Sequence, residues 1–112
     1  MSEEESFYNS SECLKANEGK IEWSVLPYDA LEHVVEVFEF GAVKYGKPYT
    51  YRAGITYSKL FSATLRHLIA WWMGEDKADD SKCLHLAHAA ANCLMLLAMM
   101  NKKRFDNRDK KL

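Results

Sequence analysis

The feature that most constrains this chain is a set of apolar residues returning every three or four positions. Leu31, Val34, Val35, Phe38, Ala42 and Tyr45 fall on one stripe, the period of an amphipathic helix. No segment alternates with period two over a useful length, which argues against a sheet. The spacing predicts a first helix from Pro27 to Tyr45, with Asp29 in its first turn and Gly46 as a left-handed stop. A second helix is expected from about Ser58 to Gly74. A third follows the cap cluster Asp79-Asp80-Ser81 and runs to about Lys103. Lys47 to Thr56, with Pro48 and Gly54, reads as a loop. The expected fold is all-α, an antiparallel bundle of three main helices.

A chain of 112 residues is one domain. A core this size is thin, so completion by oligomerisation is expected, as a homodimer or tetramer. Residues 1–20 hold five Glu and two Lys and read as an N-terminal arm. Residues 21–103 form the helical domain, and 104–112 a basic, solvated C-terminal tail. The net charge of −1 gives no global field for a nucleic-acid polymer. Cys13, Cys83 and Cys93 lack the spacing of a disulfide framework or a zinc ribbon. The acidic start is unlike a signal peptide, and no apolar run approaches a membrane span. A reduced, cytoplasmic protein is expected.

Several polar groups sit at helical spacing. Glu32, Glu36 and Glu39 share a face of the first helix, either as a solvated acidic face or as oxygen ligands for a hard cation. His85, His88 and Asn92 share a face of the third. Imidazoles there suit a metal or a phosphate. His67 lies within the second helix, with Trp71 one turn on. If the helices run up, down and up, Glu36, His67 and His88 come level about 10–12 Å from one end, at about 1.5 Å per residue. Leu94, Leu97 and Met100 would fill the other end. Lys44, Lys47, Arg52, Lys59 and Arg66 surround the first connection, with Tyr45, Tyr49, Tyr51 and Tyr57. Cations neutralise phosphates and rings stack on bases. No P-loop or dinucleotide-binding glycine motif is present.

Three ordered blocks carry a resemblance: Phe40-Gly41-Ala42-x-Lys44-Tyr45-Gly46, Arg66-His67-x-x-Ala70-Trp71-x-x-Gly74-Glu75-Asp76, and His85-Leu86-Ala87-His88-Ala89-Ala90-x-Asn92. Over roughly residues 15 to 97 the chain resembles the bacteriophage-type dATP/dGTP diphosphohydrolases, small MazG-like proteins. The resemblance implies a pyrophosphohydrolase that cuts purine deoxynucleoside triphosphates between the α- and β-phosphates, with Mg²⁺ or Mn²⁺. It implies metal contacts from Glu32, Glu36, Glu75 and Asp76, and catalytic roles for Glu36, His67 and His88. Lys44, Arg52, Arg66, His85 and His88 would hold phosphates. Tyr51, Tyr57, Trp71 and Asn92 would contact the base. The chain departs from the wider MazG pattern at His85-x-x-His88, where Glu-x-x-Asp is expected, and at Thr50-Tyr51, where Asn-Trp is expected. The rival reading is a non-catalytic nucleotide-binding or helical partner protein of the same fold.

Overall fold

The computed structural model describes residues 18–110. Nearly all of the expected arm, including Cys13, therefore lies outside the described residues. Three α-helices carry the fold: α1 (Tyr28–Tyr45), α2 (Tyr57–Trp72) and α3 (His85–Ala98). Short 3₁₀ turns flank them at Trp23–Val25, Thr50–Ala53 and Lys103–Phe105. Among the described residues there is no strand, only an isolated antiparallel bridge between Lys77 and Leu84.

The helix α3 is the shared partner, packing against both α1 and α2. Its string of small residues explains why. Ala87, Ala89 and Ala91 are buried, and with no bulk beyond Cβ they let neighbouring helix backbones come close. One core joins Val34 and Val37 of α1 to Cys83, Ala87 and Ala91, with Leu31, Phe38, Phe40 and Leu84 at its margin. A second joins Tyr57 and Leu60 of α2 to Met99, with Ile55, Met95, Leu96 and Phe105 around them. The residues expected to fill this end, Leu94, Leu97 and Met100, are instead exposed, and Met95, Leu96 and Met99 face inward. All six are apolar, so hydrophobicity alone did not distinguish the buried set from the exposed one.

The ends of α3 also differ from expectation. The helix begins at His85, not directly after Ser81, and Leu84 is its N-cap with no side-chain cap bond. The polar groups that would have capped it are used inside the preceding loop. Asp80 Oδ1 accepts from the Ser81 N–H at 2.8 Å, and Ser81 Oγ accepts from the Cys83 N–H at 3.1 Å. Lys82 takes a left-handed conformation with φ 62°, which a helix cannot continue through. At the other end α3 stops at Ala98 instead of near Lys103. The Tyr57 hydroxyl donates to the Met99 carbonyl at 2.8 Å, supplying a partner for one carbonyl left without one at a helix C-terminus.

The basic segment read as a solvated tail is tied down over part of its length. Asn107 accepts from the Ser58 N–H at 3.0 Å and donates to Ser58 Oγ at 2.7 Å. Arg108 lies 5.8 Å from the Tyr57 ring centroid, and Arg108 with Lys110 holds the Asp106 carboxyl well below the usual carboxylate range. Phe105 lies against Gly54, where a β-carbon would come within 2.0 Å of the ring. Gly54 also has φ 104°, a region unfavourable for L side chains. Gly54→Ala is therefore expected to destabilise the fold by roughly 1–3 kcal/mol, from overpacking and backbone strain together. Phe105→Ala should cost about 2 kcal/mol, below the full-burial range because the ring is only half-buried. Urea unfolding of both variants checks this, and unchanged midpoints would mean that the segment does not hold the fold.

Candidate functional site

Three imidazoles from two helices meet where α2 packs on α3. His67 Nδ1 and His85 Nδ1 are 2.8 Å apart. The His67 and His88 rings stack with centroids 4.4 Å apart and planes 1° from parallel. His85 Nε2 reaches Glu75 Oε1 at 3.1 Å, and Ser81 Oγ lies 2.6 Å from His88 Nε2. His85 is buried, while His67, His88 and Ser81 are half-buried.

The approach of α2 to α3 puts His67 onto its two partners, and helical geometry puts those partners on one face. His85 and His88 are three residues apart on α3, hence neighbours on its surface. The loop 76–84 then folds back over them. The Ala78 N–H donates to the Cys83 carbonyl at 2.9 Å, the Lys82 N–H to the Ala78 carbonyl at 2.9 Å, and the His85 N–H to the Asp76 carbonyl at 2.8 Å. The loop brings Ser81 to His88, and Glu75, just ahead of it, meets His85.

Electrostatics keep the stack uncharged. Burial first, then the neighbouring His88 and His85, push His67 down to about 4, with Arg66 adding to the effect and Asp80 opposing it. Burial also lowers His88, helped by His85 and Lys44 and again opposed by Asp80. Desolvation and nearby like charge both disfavour the protonated ring. At neutral pH the two stacked rings are neutral and carry lone pairs.

The other expected site residues are distributed as follows. Lys44, at the end of α1, is exposed, close enough to be felt by His88, and lies 5.5 Å from the Tyr45 ring centroid. Arg66 is exposed beside His67. Arg52 lies 4.1 Å from the Tyr49 ring centroid. Tyr51 meets Phe38 edge-on, with centroids 5.9 Å apart. Trp71 is exposed, and Asn92 is buried one turn beyond His88. Tyr57, read as a base contact, is a buried core residue whose hydroxyl is used by Met99. Glu32, Glu36 and Glu39 are exposed on α1, where Glu36 has His33 at 4.0 Å. Asp76 is exposed, and Glu75 is engaged by His85.

Among the described residues no three His, Cys, Asp or Glu side chains are grouped so as to hold a metal ion. The four expected metal carboxylates therefore do not fit one divalent cation as a single ligand set. Ser81, expected as part of a helix cap, instead belongs to the cluster through His88, and Asp80 acts on it electrostatically. The usable signal was a hydroxyl in a polar turn just ahead of two helical histidines.

Comparison with known proteins identifies the family of the chain. The model of the family described as dATP/dGTP diphosphohydrolase, N-terminal, matches residues 10–108. The chain belongs to that family. It is also similar to a dATP/dGTP diphosphohydrolase of Salmonella phage PMBT28, with 27% identity over 90 residues. That match covers 80% of this chain but 30% of the relative, so the chain spans about a third of the relative's length. No solved structure matches significantly. The match to the family takes in α1, α2, α3 and the loop 76–84, so every member of the imidazole cluster falls within it.

The depressed His67 has a stability consequence with a definite sign. A histidine whose folded pKa lies below its unfolded value of about 6.5 binds fewer protons when folded. Stability is then fully present above about 6.5, falls as pH drops through that value, and levels off near 4. The loss should be roughly 1–2 kcal/mol after allowing for partial solvent screening. Melting temperature measured from pH 7.5 to 4 should fall accordingly, and His67→Gln should flatten the profile. Parallel profiles for parent and variant would show that His67 is not the group responsible.

Proposed function

We propose that this chain acts on purine deoxynucleoside triphosphates, dATP or dGTP, as a pyrophosphohydrolase that releases the monophosphate and pyrophosphate. The observation that carries the reading is the family match over nearly the whole chain, taken with the two stacked neutral imidazoles flanked by cations. Lys44 and Arg66 stand beside His88 and His67 as phosphate contacts, with Arg52 on the first connection as a third. Hydrogen bonds from ionised donors to phosphate are the stronger kind. His85 and His88 are assigned to orienting the phosphates, and Tyr51, Trp71 and Asn92 to the base. Lys44→Ala should raise KM about tenfold, the weight of one charge-assisted hydrogen bond.

Mg²⁺ or Mn²⁺ is part of the same proposal. Glu32 and Glu36 lie one turn apart on an exposed stretch of α1, and a hard cation takes oxygen ligands. No third carboxylate joins them within the described chain, so no step is assigned to the ion. Glu36→Gln should weaken Mn²⁺ affinity if that face is used.

A second reading is supported by the coverage of the relative. The chain corresponds to 30% of it, and the family description is of an N-terminal part. This reading makes the chain a nucleotide-binding module without hydrolysis of its own. A panel of deoxynucleoside triphosphates, assayed for pyrophosphate release with each cation and for binding by calorimetry, separates the two. Release from dATP or dGTP above the other nucleotides supports the first. Binding without release supports the second, and neither overturns both.

Assembly as a homodimer or tetramer belongs to the proposal too. Phe61, Leu65, Leu68, Ile69 and Trp72 form an exposed stripe along α2, with Trp72 80% and Phe61 60% exposed. A contiguous apolar face of that kind marks an interaction surface. Among the described residues Met99 is the sole large side chain that is almost wholly buried. Sedimentation should show a dimer or larger species at micromolar concentration, and Ile69→Glu should dissociate it. A monomeric parent would refute the assembly.

A further inference from the structure

We infer that the outer side of α3, joined to the apolar stripe of α2, is the face on which a second copy of this chain docks, so that two α2–α3 pairs stack into four helices. The inference rests on the homo-oligomer reading above and names the face that the second copy covers.

Three sides of α3 meet different surroundings. Ala87 and Ala91 pack on Val34 and Val37 of α1. His85 meets His67 of α2, and Met95, Leu96 and Met99 gather with Tyr57 and Leu60. The third side carries Leu86, Ala90, Cys93 and Leu97, and continues to Met100 just past the helix. All five are exposed, Leu97 by 61% and Met100 by 67%. Nothing on this side suits water. From His85 to Asn101 the chain holds no Asp, Glu, Lys or Arg. A helix that is apolar all round belongs in an interior, yet one copy covers α3 on two sides only.

The stripe of α2 borders the uncovered side. The two helices run antiparallel, since His67 meets His85 while Tyr57 meets Met99. In an antiparallel pair, the residues one step past a contact turn by about 100° in opposite senses, and so to the same side of the pair. Leu68 and Leu86 are one step past His67 and His85. Phe61, Leu65, Leu68 and Trp72 recur at spacings of four, three and four, and the α3 residues at four, three, four and three. A mean near 3.5 is the seam of one helix packed along another.

Charge, shape and area select a second copy as the occupant. None of these side chains is charged, so the face offers no handle to a partner recognised by charge. The α2 strip is bulky, whereas the middle of the α3 strip is small, at Ala90 and Cys93. A two-fold rotation can set the α2 strip of each copy over the α3 strip of the other, large against small. At roughly 100 Å² each still in water, these side chains bring about 900 Å² per copy, enough for the ~800 Å² per partner of a stable interface.

The test joins sedimentation of the full chain at micromolar concentration to alkylation of Cys93 by iodoacetamide. Cys93 is exposed in one copy and would be covered in the pair. Peptide mass spectrometry separates it from Cys13 and Cys83. The parent should sediment as a dimer or larger species, with Cys93 protected. Leu97→Glu should raise the dissociation constant about a hundredfold, because two-fold symmetry buries the new charge twice. Its Cys93 should react roughly tenfold faster as the monomer fraction rises. Leu97 and Met100 lie mostly in water within one copy, so Leu97→Glu and Met100→Glu should keep the parent's helix content by circular dichroism. That separates lost docking from lost folding. An oligomeric parent whose Cys93 reacts as fast as in Leu97→Glu would overturn this face and leave the homo-oligomer standing. So would an oligomer that survives both substitutions. A monomeric parent would overturn the two together.

Discussion

Helix α3 is the constraint on which the rest depends. It is the one helix that both others pack against, and its composition has to serve two purposes at once. Ala87, Ala89 and Ala91 let the neighbouring backbones close in. His85, His88 and Asn92 share its length with them. Ala87 and Ala91 pack against Val34 and Val37 of α1, while on the α2 side His67 reaches hydrogen-bond distance of His85. A larger residue at Ala91, which has no exposed surface, would push α1 away from α3.

That closeness gives the imidazoles their chemistry. Rings stacked 4.4 Å apart tolerate one another because they are neutral, and burial with mutual repulsion keeps them so. The segment 75–84 completes the site with oxygen atoms, Glu75 on His85 and Ser81 on His88. The positive φ at Lys82 is a local backbone cost of the turn that carries Ser81 to its partner. The site is thus a set of lone pairs and hydrogen bonds held by packing, with cations at its edge.

The first helix illustrates how much of the chain could be read in advance. Its apolar stripe and its Gly46 stop placed it within a residue of Tyr28–Tyr45. The second helix was similarly legible. The third was right in kind and wrong at both ends, because the residues that would cap it form bonds inside the loop, and Tyr57 from another element meets its C-terminal end. The candidate site was legible as a list of histidines at helical spacing. The common level of His67 and His88 was legible too, since their rings stack; on α1 it is Lys44 that comes into the electrostatic range of His88, because levels computed from rise per residue assume ideal bundle geometry.

By itself the sequence determined the helical class, the number of helices, and the pairing of His85 with His88 on one face. These follow from periodicity, which is local and depends only on 3.6 residues per turn. Only the tertiary structure decided that Tyr57 is core, that Met99 and not Met100 is buried, and that Glu75 and Ser81 meet His85 and His88. Those outcomes depend on how helices rotate about their axes and where loops return. Side-chain volumes from distant parts of the chain set both, and no local pattern contains them.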